Sequence, residues 1–266
     1  MKFSIKFFYL FIFLLVFTFS SVKGKVISYK SEYEISNANN DEPRLPGKTY
    51  IDKATGYLTV DWLDSCQNSW VSNQRMMTRF INSYGVGTVS EINYSLNENM
   101  NGKAMDFVLE IKENAEVVDR FYGKAKKENK LNISFVDKEI SLNFPNDVIF
   151  PHQFLEEVVS NLYSGKKILV RNVYEGTIPE KFFRISAFFT DDVENLKNQS
   201  LPKEINNKFK KIRMAYYQDN EQTPIFEQTV LLNDQGIAGE FRYDYPEYSL
   251  LLKLKKIEVI PSSCKK

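Results

Sequence analysis

Cysteine, histidine and tryptophan are nearly missing from this chain of 266 residues, which holds two, one and two of them. One imidazole and two thiols cannot assemble a zinc site of nitrogen and sulfur ligands, so neither a metal nor another cofactor is expected. A charge excess of either sign is lacking too: 35 basic residues stand against 34 acidic. So small a field gives nucleic acid or an anionic membrane no electrostatic reason to be the main partner. No Walker loop and no G-x-S-x-G turn occurs, and Gly85-Val86-Gly87 alone is too little to cradle a phosphate. Apolar runs stay short. The longest uncharged one, Phe7 to Val22, has 16 residues, below the roughly 20 that a spanning helix needs.

What is present begins with an export pattern. Lys2 and Lys6 precede the apolar run, and Val22-Lys23-Gly24 offers small residues where a signal peptidase reads, so residues 1–24 are expected to be a signal peptide. Losing Lys2, Lys6 and Lys23 leaves the rest close to neutral. No Pro/Gly/Ser linker and no internal repeat divides residues 25–266, which read as one domain in the periplasm. In an oxidising compartment Cys66 and Cys264 most simply form one bridge, tying an early segment to the C-terminal one. Two buried thiols are the alternative.

The periodicity is that of strands. Ile27, Tyr29, Tyr33 and Ile35 keep a period of two, as do Leu58, Val60 and Trp62, and Met105, Phe107, Leu109 and Ile111. Asn37 to Gly47, with Pro43 and Pro46, reads as a loop, and Asn99 to Gly102 as a turn. One segment departs from this. From Pro151, residues Phe154, Leu155, Val158, Val159 and Leu162 follow helical spacing up to Gly165, which predicts a single amphipathic helix over 151–164 that covers or plugs the sheet. Asp191 to Lys211 is charged and Asn-rich, and reads as a loop or short helix. Turns at Gln218 to Glu221 and Asn233 to Gly236 set up two hairpins, and Tyr248 to Ile260 is the last strand.

Candidates for chemistry are few. His152, the lone histidine, is either a general base or a helix-start residue that packs locally, and the second reading is preferred. Ser164-Gly165-Lys166-Lys167 has the S-x-x-K spacing, but its serine ends a helix rather than opening one. The acidic pairs Asp191-Asp192 and Glu156-Glu157 read as solvated faces. No residue is assigned as catalytic. The aromatic residues Phe182, Phe188, Tyr243, Tyr245 and Tyr248 are candidates for lining an apolar ligand cavity, with plain core packing as the alternative.

Ser65-Cys66-Gln67-Asn68-Ser69-Trp70, Asn73-Gln74-Arg75, Phe150-Pro151, Val173-Tyr174-Glu175-Gly176, Thr223-Pro224-Ile225-Phe226-Glu227 and Tyr243-Asp244-Tyr245 occur in an order that resembles the cell-envelope integrity protein EipB family of alphaproteobacteria. The resemblance runs from about Tyr29 to Cys264. It implies a periplasmic protein with a spiral-like, nearly closed antiparallel β-barrel, similar to the carriers that shuttle lipoproteins, and a disulfide at Cys66 and Cys264. It further implies a non-enzymatic role in envelope integrity. The expected partner is another envelope protein, a helical-repeat periplasmic protein among them, or a lipid. A filled interaction scaffold and a peptidoglycan or lipid hydrolase are the rival readings.

Overall fold

Alternation decides which face of each strand turns inward. In β1 (Tyr29–Asn37), Tyr29, Ser31, Tyr33 and Ile35 are buried while Lys30, Glu34 and Ser36 are exposed. The structure, a computed structural model, describes residues 25–38, 49–136, 141–196, 201–218 and 221–261. The expected signal peptide, most of the loop from Asn37 to Gly47, and Cys264 lie outside these residues.

Seven strands follow β1 before the helix: β2 (Ile51–Asp64), β3 (Ser69–Asn82), β4 (Gly87–Asn99), β5 (Ala104–Glu113), β6 (Glu116–Lys127), β7 (Leu131–Phe135) and β8 (Ser141–Phe144). After α1 (Pro151–Ser164) come β9 (Ile168–Val173), β10 (Phe183–Glu194), β11 (Phe209–Gln218), β12 (Phe226–Leu232), β13 (Ala238–Asp244) and β14 (Ser249–Val259). All fourteen belong to one antiparallel sheet ordered β8-β7-β6-β5-β4-β3-β2-β1-β14-β13-β12-β11-β10-β9. The first and last strands are therefore neighbours, with Tyr29 opposite Val259 and Ile35 opposite Leu252.

That order makes β8 and β9, consecutive in the chain, the two edges of the sheet. The sheet is strongly curled but not closed, a barrel-like fold that follows from the twist every strand carries. The segment that leads from β8 to α1 touches the β9 edge at one point. Ile149 forms a parallel bridge to Val173: its N–H donates to the Asn172 carbonyl at 2.8 Å, and its carbonyl accepts from Tyr174 N–H at 2.9 Å. Helix α1 is the connection between the two edges.

The helix occupies its expected range, with Pro151 in the first turn and Gly165 in the left-handed conformation at its end. Phe154, Val158, Val159 and Leu162 are buried against the main core, each contributing roughly 1.5–3 kcal/mol of apolar burial. A second core lies under β4 to β7, where Phe107 meets Phe121, Phe135 and Tyr174 edge-on.

One stretch differs from its sequence pattern. Instead of a loop or helix from Asp191 to Lys211, β10 runs on through Glu194 and β11 begins at Phe209. Pairing with an adjacent strand overrides weak local propensity, since Val193 sits opposite Lys210 and Glu194 opposite Phe209. The Asn233 turn is as expected. Its side-chain oxygen accepts from Gln235 N–H and Ile237 N–H while Gly236 takes a positive φ of 75°.

Candidate functional site

A cavity of about 300 Å³ lies between α1 and the inner face of the curled sheet. Its walls come from alternate residues of neighbouring strands: Tyr29 and Tyr33 of β1, Leu58, Val60 and Trp62 of β2, Met214 and Tyr216 of β11, Phe226, Gln228 and Val230 of β12, and Phe241 and Tyr243 of β13. Pro151, Phe154, Leu155 and Val158 of α1 form the remaining side. The helix thus plugs the barrel. Mostly apolar walls with a few polar groups are what a small-ligand site requires.

Most of those polar groups are already engaged with the protein. Tyr33 donates its hydroxyl to the Ala238 carbonyl at 2.9 Å, and Tyr216 donates to Gln228 Oε1 at 2.8 Å. The indole Nε1 of Trp62 is buried without a hydrogen-bond partner among the described residues. Burial pushes the Tyr216 and Tyr243 hydroxyls well above their ordinary range, so both stay protonated.

Glu175 is the one charged side chain on the cavity wall among the described residues. Three features fix its place just after β9. Its neighbour Tyr174 is held through an N–H that donates to the Ile149 carbonyl, and its own carbonyl accepts from the Tyr94 hydroxyl. Gly176 turns the chain at φ 73°, where a Cβ would come within 2.6 Å of the Phe107 ring. Glycine is the residue that meets both demands. Burial pushes the Glu175 carboxyl up to about 7.

The start of α1 is held by another carboxylate, this one buried. Phe150 provides no side-chain cap, and Glu98 of β4 accepts instead from His152 N–H at 2.6 Å and Gln153 N–H at 3.1 Å. Burial pushes the Glu98 carboxyl up to about 7, although those two hydrogen bonds favour its charged form. The imidazole of His152 stacks on Trp70 at 4.4 Å between centroids and lies 5.8 Å from Trp62. Its Nε2 meets Glu156 Oε1 at 3.3 Å, and this contact lowers the Glu156 carboxyl. His152 is 2% exposed. This buried packing position is the one expected of a helix-start residue.

The five aromatic candidates separate. Tyr243 lines the cavity. Tyr245 and Tyr248 continue a row of rings away from it, Tyr243 to Tyr245 at 6.5 Å, Tyr245 to Tyr248 at 4.9 Å and Tyr248 to Phe80 at 5.5 Å. Phe182 packs on Phe144 at 5.2 Å beside the second core. Phe188 faces outward and is 46% exposed, because Ala187 and Phe189 take the inner face of β10. Sequence reasoning did not single out Glu175 or Glu98 as site residues. Ser164 ends the helix and donates to the Asn161 carbonyl, so it is not placed as a nucleophile. Cys66 lies in the exposed turn between β2 and β3, where its N–H donates to Asp64 Oδ1 at 3.0 Å. Among the described residues, no helix is long and apolar enough to cross a membrane and no group of three or more His, Cys, Asp or Glu could hold a metal ion.

Fold and site together define a class: a curled, barrel-like antiparallel sheet whose interior is stoppered by the helix that joins its edges. A family model described as EipB-like matches residues 25–261, and the chain belongs to that family. It is 24% identical over 248 residues to the cell envelope integrity protein EipB of Brucella abortus (strain 2308), covering 88% of this chain and 85% of that protein. Its fold is similar to the crystal structure of a beta-barrel-like protein of domain of unknown function DUF1849 from Brucella abortus. The TM-score is 0.80 at 20% identity, over 89% of this chain and 99% of the other.

Proposed function

We propose that this chain is an exported, periplasmic protein that supports envelope integrity by holding an apolar ligand in the cavity beneath α1, and that it is not an enzyme. The observation that carries this reading is the 300 Å³ space lined largely by Leu58, Val60, Phe154, Val158, Met214 and Val230 in a protein that otherwise packs two dense cores. The envelope role rests on the name of its Brucella relative. Native mass spectrometry and lipid extraction of the purified protein test the ligand. A bound lipid or displacement of a fluorescent acyl chain supports it, and finding neither removes it.

A Cys66–Cys264 bridge belongs to the same proposal. Ser28, just before β1, accepts from Ile260 N–H on its carbonyl and from Asp64 N–H on its hydroxyl, both at 2.9 Å. The outgoing end of β14 and the Asp64 end of β2 therefore lie on the same rim, two strand spacings or roughly 10 Å apart. Four residues beyond Ile260 span up to about 13 Å, within reach of Cys66. Such a bridge would fasten the last strand to the turn after β2.

One observation favours a second reading, docking of a protein partner. Ile168 and Phe188 lie opposite each other on the outer face at the β9 edge, 55% and 46% exposed, with Val170 nearby at 46%. An open strand edge flanked by apolar side chains suits strand addition. Ile168→Lys with Val170→Lys should abolish capture of an envelope partner while leaving cavity binding intact. Unchanged capture removes this reading.

A further inference from the structure

We propose that the cavity receives the ammonium head of a single-chain amphiphile, held between the Glu175 carboxylate and the ring faces of Tyr216, Phe226 and Tyr243. This rests on the ligand reading above and narrows the ligand's chemistry.

The cavity presents one unpaired anion. Glu175 makes no ion pair among the described residues, and no Lys, Arg or His joins it on the wall. A half-buried carboxylate without an ion-pair partner on an apolar wall is costly, and an entering cation supplies that partner. An anionic head would meet like charge. A neutral head would leave the carboxylate as it is.

Aromatic rings line the same cavity wall as Glu175. Tyr216 and Phe226 stack at 4.2 Å with 18° between their planes, and Phe241 and Tyr243 at 6.0 Å with 17°. The negative faces of such rings attract a desolvated cation, most of all one that carries methyl groups in place of strong hydration. Among the described residues, titratable groups that feel the Glu175 charge include Tyr94 from β4, Tyr216 from β11, and Tyr243 and Tyr245 at and beyond the end of β13, and none of these carries a positive charge.

Size and lining choose the remainder of the molecule. A space of about 300 Å³ stands at the lower end of the range for small-ligand pockets, which suits one head and one chain. Beyond the polar end the wall is aliphatic, from Leu58 and Val60 to Val158 on the plug.

The test is isothermal titration of the full-length mature protein at pH 8 with decyltrimethylammonium, decanol, decanoate and tetramethylammonium. The chained cation should bind about tenfold more tightly than decanol. Decanoate and tetramethylammonium should bind more weakly still. Glu175→Gln should bring the chained cation and decanol to within about threefold while leaving decanol itself unchanged. In the unmodified protein, lowering the pH to 5.5 should weaken the chained cation alone, as Glu175 takes up a proton. That arm stands even if the variant folds poorly. Binding of decanol and decanoate as tight as that of the cation, a preference that survives Glu175→Gln or pH 5.5, or tetramethylammonium binding as tightly as the chained form would each overturn the inference and leave the ligand reading standing. If no chained probe binds, both fall.

Discussion

Glu98 and His152 stand 54 residues apart in the chain and are joined by a 2.6 Å hydrogen bond from the His152 backbone N–H to the Glu98 carboxylate. A strand residue thereby does for α1 what a local N-cap does for most helices. The plug of the barrel is pinned to its wall by this contact. Glu98→Ala removes both accepted hydrogen bonds from a buried helix start, so a loss of about 1–3 kcal/mol is expected. Glu98→Gln keeps one acceptor oxygen and should lose less. Chemical denaturation of the two variants checks the order, and equal stability of Glu98→Ala with the parent would show that the plug is held elsewhere.

The Glu175 carboxyl titrates higher in the folded protein, at about 7, than in the unfolded chain. Between the ordinary carboxylate value near 4.5 and about 7 the folded state binds the extra proton. Its contribution to stability is therefore complete below the lower value and is lost as pH rises through the upper one. Glu175→Gln has no such loss. Relative to the parent, its melting temperature should rise as pH goes from 5 to 8, and melting curves that stay parallel across that range would contradict the raised titration of this group.

Gly176 should not tolerate a side chain. Alanine there must adopt φ 73° and meets the Phe107 ring at 2.6 Å, so Gly176→Ala is expected to cost about 1–3 kcal/mol and to displace Glu175. Gly85, also at positive φ but with open space around it, is the control: Gly85→Ala bears the backbone cost alone. Comparable losses at the two sites would count against the Phe107 contact.

Cys66→Ser or Cys264→Ser should each cost about 2–5 kcal/mol, which for a chain of this size lowers the melting temperature by several degrees. The comparison is made without reductant. Identical melting of parent and variants, or two free thiols titrated in denatured unreduced protein, would refute the bridge.

Much of the architecture can be read in the sequence because the strand period and the helix period leave separate marks. Tyr29, Tyr33 and Ile35 show the first, and Phe154, Val158 and Leu162 the second. What the periods omit is pairing across distance. Nothing near Glu98 announces that its partner is a helix start 54 residues on, and nothing near Glu175 announces a cavity made by strands from both halves of the chain. Tyr174-Glu175-Gly176 stood out only as part of a family pattern, with no local sign of a buried charge. The phenylalanines of β10 show a related limit. A period of two requires Phe188 and Phe189 to face opposite ways, but which one turns inward depends on the register with Ile168 and Arg213.

The space under α1 is expected to hold a ligand. Val230 lines that space from β12, and Val230→Phe should fill part of it while keeping the fold. Native mass spectra of the two proteins, purified alike from the producing cell, test the claim directly. A bound small molecule is expected on the parent and none on Val230→Phe at similar melting temperature. A parent that carries nothing, or a variant that carries the same molecule, would contradict it.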